Sequence, residues 1–360
     1  MSQKINIAIF LGIIFSLGII FIVKEDELLS YAERRYLMQV DDIKLEDIKE
    51  GEIVTKIENY ALDQFPLREE LRALKAFANY NIFMKEENQG IAVTQNTMYE
   101  IKDSYDYNKL KNSVASINTV ANSMFYENDC YFVLIPDKSC YINSNNNYSY
   151  LDIEKELTKF LHPRISYIPI YHTLSLDSYY KTDLHWSQDK LTDTKNTILN
   201  YIGYNESENY SSNKIEGYFG SYAVKSALSY IEDDIIYLTN ERINSAQVFN
   251  YETNTTTDVY DLAKLQDEKS LDKYDIFLSG ASPLLKVSAP ESTGKTLILF
   301  RDSFGSSLAP LLLEYYDTIY LVDLRYIDAS LLQNFIDISS DYDVIFLYST
   351  DMLEIPGNFK

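Results

Sequence analysis

The chain is short of the residues that build metal centres and disulfide scaffolds. Its 360 residues include two cysteines, three histidines and one tryptophan. Cys130 and Cys140 allow at most one bridge, so a disulfide framework is excluded, and no pair-of-pairs spacing suggests zinc. With only His162, His172 and His185 available, an imidazole-built metal site is not expected, nor is any cofactor. Basic residues are also scarce. Lys and Arg total 32 against 54 Asp and Glu, a formal net charge of -22. No basic stripe is present, which argues against nucleic-acid binding, because neutralising phosphates needs clustered cations. Internal repeats and low-complexity runs are missing too, which excludes solenoids.

What remains is the composition of a folded protein, 46% hydrophobic and 24% charged, long enough for one large domain or two modest ones. Tyrosine is abundant, at 32 residues. Its rings stack on sugars and line interfaces, although a plain compositional bias gives the same count.

One segment bears on the compartment. Ile5 to Val23, INIAIFLGIIFSLGIIFIV, contains no charged residue. As a helix it spans about 28 Å, close to the hydrocarbon thickness of a bilayer. A cleaved signal peptide has a shorter apolar core, about 7–15 residues. An uncleaved signal-anchor over residues 1–24 is therefore expected, spanning the membrane through residues 5–23. The remainder is expected outside the cell, the common arrangement after a short amino-terminal flank. Residues 25–105 read as a stalk and helical region, and 106–360 as the main domain.

Within the stalk region a helical pattern runs from about Ile53 to Met84, restarted near Pro66. Leu67, Leu71, Leu74, Ala78 and Ile82 recur at helix spacing and are expected to pack, with Arg68, Glu69, Arg72 and Lys75 outside. Beyond it, helices and short apolar runs alternate. Asn108–Phe125 and about Asp152–Leu161 read as helices, and Ser187 as the cap of a helix through Ile198 and Tyr201. Tyr131–Pro136, Arg164–Ile170, Asp275–Gly280, the TLILF run ending at Phe300, Ile319–Leu324 and Val344–Ser349 read as strands. Helices are expected between the last three. The pattern predicts an α/β fold with a mainly parallel sheet flanked by helices. Residues 205–270 carry only hairpin-like pieces such as IIYLTN and AQVFNY.

Reactive groups on such a sheet gather beyond the carboxyl ends of its strands. LILFRDSFGSSLAP, Leu297 to Pro310, places Ser303 there, on a strand-to-helix corner. Either Asp302 or Ser303 caps the helix, or Ser303 is a nucleophile, with the N–H groups of Ser303 and Phe304 aimed at a developing oxyanion. A base is offered by YYKTDLHWSQ, Tyr179 to Gln188. If that segment is extended, Asp183 and His185 point to one side, and the carboxylate can fix the imidazole tautomer. Trp186 stands ready to wall the site from water. His172 is the reserve base.

Thr182-Asp183-x-His185-Trp186 followed by Arg301-Asp302-Ser303-Phe304 resembles the DHHW proteins of Gram-positive bacteria. These are similar to SGNH-hydrolase-like proteins that O-acetylate alginate. Ala61–Leu71, Tyr218–Ser226, Tyr274–Leu285 and the closing DVIFLYSTD fit the same family pattern. The resemblance implies an SGNH-hydrolase-like fold in rearranged order, Ser303 as nucleophile, His185 as base and Asp183 as its orienting partner. Arg301, Asp302, Phe304 and Trp186 would serve substrate or oxyanion. It implies a membrane-anchored acyl-ester enzyme, an O-acetyltransferase or esterase of a surface polysaccharide or other glycan, working with a membrane-bound acyltransferase. Two departures stand out. Leu184 replaces the second residue of D-H-H-W. Ala281 occupies a position where relatives often carry asparagine; Arg301, Asn79, Asn81 or Asn88 would then have to supply the missing donor. A catalytically weak or inactive glycan-binding or assembly protein of the envelope is the alternative.

Overall fold

A computed structural model describes residues 2–142, 148–204, 208–266, 270–355, 357 and 359. The chain forms two compact units, Met1–Ile91 with Ala223–Tyr230, and Ala92–Tyr222 with Ile231–Lys360.

The first unit opens with α1, Ser2–Val23. Its Gln3–Val23 stretch is long and apolar enough to cross a membrane, and none of it is buried within the protein. A short strand pair follows, Leu29–Ser30 with Arg35–Tyr36. Helices α2, Ile53–Asp63, and α3, Arg68–Phe77, come next, the latter running into a π-helical turn, Ala78–Ile82. The break at Pro66 is as expected, but the facing of α3 is reversed. Leu67, Leu71, Leu74 and Ile82 are exposed. Arg68 and Arg72 instead turn inward to Glu33, at 2.6 and 3.0 Å. An ion-pair cluster, completed by Arg35 with Asp63 at 2.8 Å, holds the inner face.

The second unit is built on an eight-stranded sheet. In chain order its strands are β1 (Cys130–Ile135), β2 (Ile165–Ile168), β5 (Gln247–Asn250), β6 (Thr255–Asp258), β7 (Leu284–Ser288), β8 (Thr296–Arg301), β9 (Thr318–Val322) and β10 (Asp343–Ser349). A separate antiparallel hairpin supplies β3 (Ser211–Tyr218) and β4 (Asp233–Thr239). The sheet order is β6-β5-β7-β9-β8-β10-β1-β2. From β9 to β2 every pairing is parallel; β7, β5 and β6 add an antiparallel edge.

The parallel strands are continuous apolar runs because both their faces are covered. In β8, Leu297 and Leu299 enter one core and Ile298 and Phe300 the other. Helices α6 (Thr192–Ile202) and α7 (Phe304–Leu312) cover the first face through Ile198, Leu199, Leu308 and Leu311. Helices α4 (Tyr107–Met124) and α5 (Tyr150–Phe160) cover the second through Leu110, Val114, Ile153 and Leu157.

Several local readings need correction. Asp275–Gly280 is not a strand. A 3-10 turn, Lys273–Ile276, precedes a single bridge of Phe277 to Tyr260, and Leu278, Ser279 and Gly280 take φ of 57, 61 and 89°, which no extended strand tolerates. The AQVFNY piece, by contrast, joins the main sheet as β5. Ser187 starts only a 3-10 turn, Gln188–Lys190, and α6 begins at Thr192. Between β9 and β10 lies another 3-10 turn, Ala329–Asn334, rather than an α-helix.

Candidate active site

Three side chains from two distant segments meet at the carboxyl edge of the parallel strands. Ser303 follows β8 after one residue and stands at the start of α7 with helical angles, φ -61° and ψ -25°. Its side chain makes no capping bond. Asp302 does that work: its Oδ1 accepts the Phe304 N–H at 3.1 Å, and its Oδ2 accepts the Ser349 N–H from the neighbouring strand at 2.8 Å. The Ser303 hydroxyl is thereby left free of the helix, and it lies 2.7 Å from His185 Nε2. The other ring nitrogen, Nδ1, lies 2.6 Å from Asp183 Oδ1.

Asp183 and His185 sit in a tight loop, not an extended segment. A bridge between Tyr179 and Trp186 closes it, and Tyr180 N donates to His185 O at 3.1 Å. Asp183 is buried, and its acceptor sites are filled: Oδ1 also takes the His185 N–H at 2.9 Å, and Oδ2 takes the Ser221 N–H at 2.6 Å. Burial pushes this carboxyl up, but the charge and ring hydrogen bond of His185 and the two backbone donors outweigh it and hold the group well below the usual carboxylate range.

The loop is gripped from both sides. Asp233, at the start of β4, accepts the N–H groups of Lys181 and Thr182 at 2.8 and 2.7 Å, and the Thr182 hydroxyl at 2.5 Å. Opposite it, the buried Lys138, just beyond β1, donates to the carbonyls of Tyr180, Lys181 and Asp183 at 2.9, 3.4 and 2.6 Å. Burial lowers the Lys138 amine to about 8, against the pull of Asp183, Asp137 and Asp233. Gly220 completes the fit. A Cβ there would meet Asp183 Cβ at 2.3 Å and Thr182 O at 2.5 Å.

Tyr274 lies flat against the imidazole, ring centroids 4.1 Å apart and planes 10° from parallel. Its hydroxyl reaches Ser307 Oγ at 3.0 Å. Sequence reasoning missed Tyr274 because its segment reads as a strand, and missed Ser221 because a backbone N–H leaves no signature. Lys138 did leave one, a cation two residues after the apolar Tyr131–Pro136 run.

The remaining sequence candidates lie beneath the site. Trp186 is fully buried and donates its indole N–H to Phe304 O at 3.1 Å and Ser307 Oγ at 2.9 Å. It anchors α7 from below and has no surface facing water. Phe304 is buried, and its N–H is committed to Asp302, so it is not a free oxyanion donor. Arg301 is buried beneath Gly305, where an added Cβ would come 2.7 Å from Arg301 Cβ. Burial lowers its guanidinium from its ordinary value, and it lies 3.9 Å from Asp323. Asp302 is buried and pushed up by desolvation. His172 and His162 are exposed and stand apart from the triad residues' contacts. Ala281 is exposed in the loop before β7. Because Leu284 pairs with Val322, which pairs with Phe300, that loop too lies at the carboxyl edge. Asn79 and Asn88 bond to one another at 3.0 Å within the first unit. Cys130 and Cys140 are both free thiols, and the described residues hold no cluster suited to a metal.

The fold of the chain matches solved structures. A DHHW family protein from Eubacterium siraeum superposes with a TM-score of 0.63 at 17% identity, over 76% of this chain and 94% of that one. The chain has the DHHW protein fold. Bacillus cereus PatB1, solved with a sulfonyl adduct, matches the same fold at TM-score 0.59 and 19% identity, over 75% of this chain and 98% of its own. The O-acetyltransferase domain of Pseudomonas putida AlgJ matches at TM-score 0.44 and 8% identity, over 74% and 92%. No family model matches the chain, and no curated protein matches it. In this chain Asp183 and His185 precede Ser303, and the three come together at one sheet edge.

Proposed function

We propose that the protein is a membrane-anchored acyl-ester enzyme acting outside the cytoplasm, with Ser303 as nucleophile, His185 as general base and Asp183 as its orienting carboxylate. The observation that carries this reading is the unbroken chain of hydrogen bonds, 2.6 Å from Asp183 to His185 and 2.7 Å from His185 to Ser303, ending on a hydroxyl that caps nothing. In the first step Ser303 Oγ bonds to the carbonyl carbon of an acyl ester and its proton passes to His185 Nε2. Asp183, ionised throughout the working range, stabilises the imidazolium. His185 then returns the proton to the departing alcohol, leaving acyl-Ser303. In the second step a sugar hydroxyl takes the acyl group while His185 removes its proton. With that acceptor the enzyme is an O-acetyltransferase of a cell-surface polysaccharide, supplied by a membrane-bound acyltransferase. With water it is an esterase.

A second reading has an observation in its favour. Ala281 offers no side-chain donor at the carboxyl edge, and the Phe304 N–H is already spent on Asp302. Losing one oxyanion donor costs about 2.7–4 kcal/mol of transition-state stabilisation, enough to leave a glycan-binding or assembly protein with a weak site. One experiment separates the two. Incubation of the full chain with an activated acetyl ester should add one acetyl to Ser303 in the intact mass, and none in Ser303→Ala. No adduct on the folded wild-type protein, together with glycan binding retained in Ser303→Ala, would establish the binding role.

A further inference from the structure

Helix α3 is inside out for a helix in water. Two of its charged side chains, Arg68 and Arg72, face inward to Glu33, where Arg72 also donates to Val224 O at 3.1 Å and where Ala76 and Asn79 are buried. Its apolar side chains face outward: Leu67, Leu71, Leu74 and Ile82 are 57, 43, 60 and 62% exposed. At i, i+4, i+7 spacing these residues form one stripe. A soluble helix buries such a stripe.

One ring contact and one shared hollow set the level of this stripe relative to α1. Tyr60, on α2, packs edge-on against Phe21, with ring centroids 5.9 Å apart. Phe65 and Leu67 line the same hollow as Ile20 and Lys24. The apolar helix ends at Val23, and at about 1.5 Å per residue Ile20 and Phe21 lie only about 3–5 Å inside that end. If α1 spans a bilayer, α3 therefore starts at its boundary, the depth at which tyrosines such as Tyr60 collect.

We infer that α3 and the π-turn after it lie along the membrane surface, with the Leu67–Leu71–Leu74–Ile82 stripe in the acyl chains. Glu70 and Lys75, exposed on either side of the stripe, reach from its margins toward water. The inference rests on α1 remaining in the chain as an anchor. A lipid surface fits better than a second copy of the chain, because the stripe continues from the apolar end of α1 itself.

The test uses the full chain in phosphatidylcholine vesicles, with Leu74→Trp and, as an independent position, Leu71→Trp. The native Trp186 is fully buried in the other unit and supplies a constant background. Acyl chains brominated near the headgroup should cause a loss of the added tryptophan's emission, and leave the wild-type signal unchanged. Emission untouched by bromine would overturn the inference, whether it is shifted to the red by water or to the blue by a second copy of the chain.

Discussion

At the scale of single residues, the site depends on holding one loop between opposite charges. Lys138 needs all three of its protons to serve three carbonyls, and a neutral amine has only two. Its folded value near 8 therefore predicts that acylation of Ser303 falls above about pH 8. Stability should not follow that fall. The folded-state value lies below the ordinary lysine value of 10.5, so between the two the unfolded chain holds more protons and this group makes stability rise with pH. Rates of acetylation measured alongside urea midpoints from pH 6 to 10 check both signs. Lys138→Met should lower the acylation rate by about tenfold or more, the cost of a geometry lost by roughly an ångström, while Asp183→Asn should remove nearly all of it by fixing the wrong tautomer. That Ser303, His185 and Asp183 belong to one candidate site was legible in the sequence because each residue type announces its chemistry, and they lie within hydrogen-bond distance of one another. Tyr274 and Ser221 were not, since a ring face and a backbone N–H act through placement alone.

At the scale of elements, the corner between β8 and α7 and the turn after β3 are built around close approaches. Gly220 is the tighter of the two. An alanine there would put its Cβ 2.3 Å from Asp183 Cβ and 2.5 Å from a backbone oxygen, and neither partner is the flexible end of a side chain. Gly220→Ala should destabilise the protein by about 1–3 kcal/mol and displace Asp183, seen as a lost acylation rate in protein that still melts cooperatively. The parallel strands were legible because runs such as TLILF, buried on both faces, have few other homes. Asp275–Gly280 failed for the same reason in reverse. DIFLSG has a strand's composition, but Gly280 packs against Asp275, with an added Cβ 2.7 Å from its carboxylate, and three successive positive φ values curl the end of the segment. The stripe on α3 was read correctly as a stripe and wrongly as a packing face, because periodicity reports that a face is apolar and not which solvent it meets.

At the scale of the whole molecule, a buried ion pair ties α6 to the end of α7. Lys195 and Glu314 have fully buried side chains in contact with one another, and Glu314 also accepts from Tyr210 at 2.7 Å and Glu208 N at 3.1 Å. Lys195→Met strands that carboxylate without its cation and should cost about 3–5 kcal/mol, read from chemical denaturation. The net charge of -22 adds a general self-repulsion, so melting temperature should rise as salt screens it over the range where the Debye length shrinks from about 30 to 8 Å. Overall architecture was legible from alternation of elements; strand order was not, because nothing local records that the last strand is inserted in the middle.

That insertion has a consequence for when the protein can react. β10, ending at Ser349, lies between β8, which leads to Ser303, and β1, which leads to Lys138. This central strand is made after every other described strand of the sheet. Until then β8 has only β9 beside it and β1 only β2, and the two halves of the sheet are not joined. A fragment that stops short of β10 therefore leaves the Ser303 corner and the Lys138 flank without the strand that joins them.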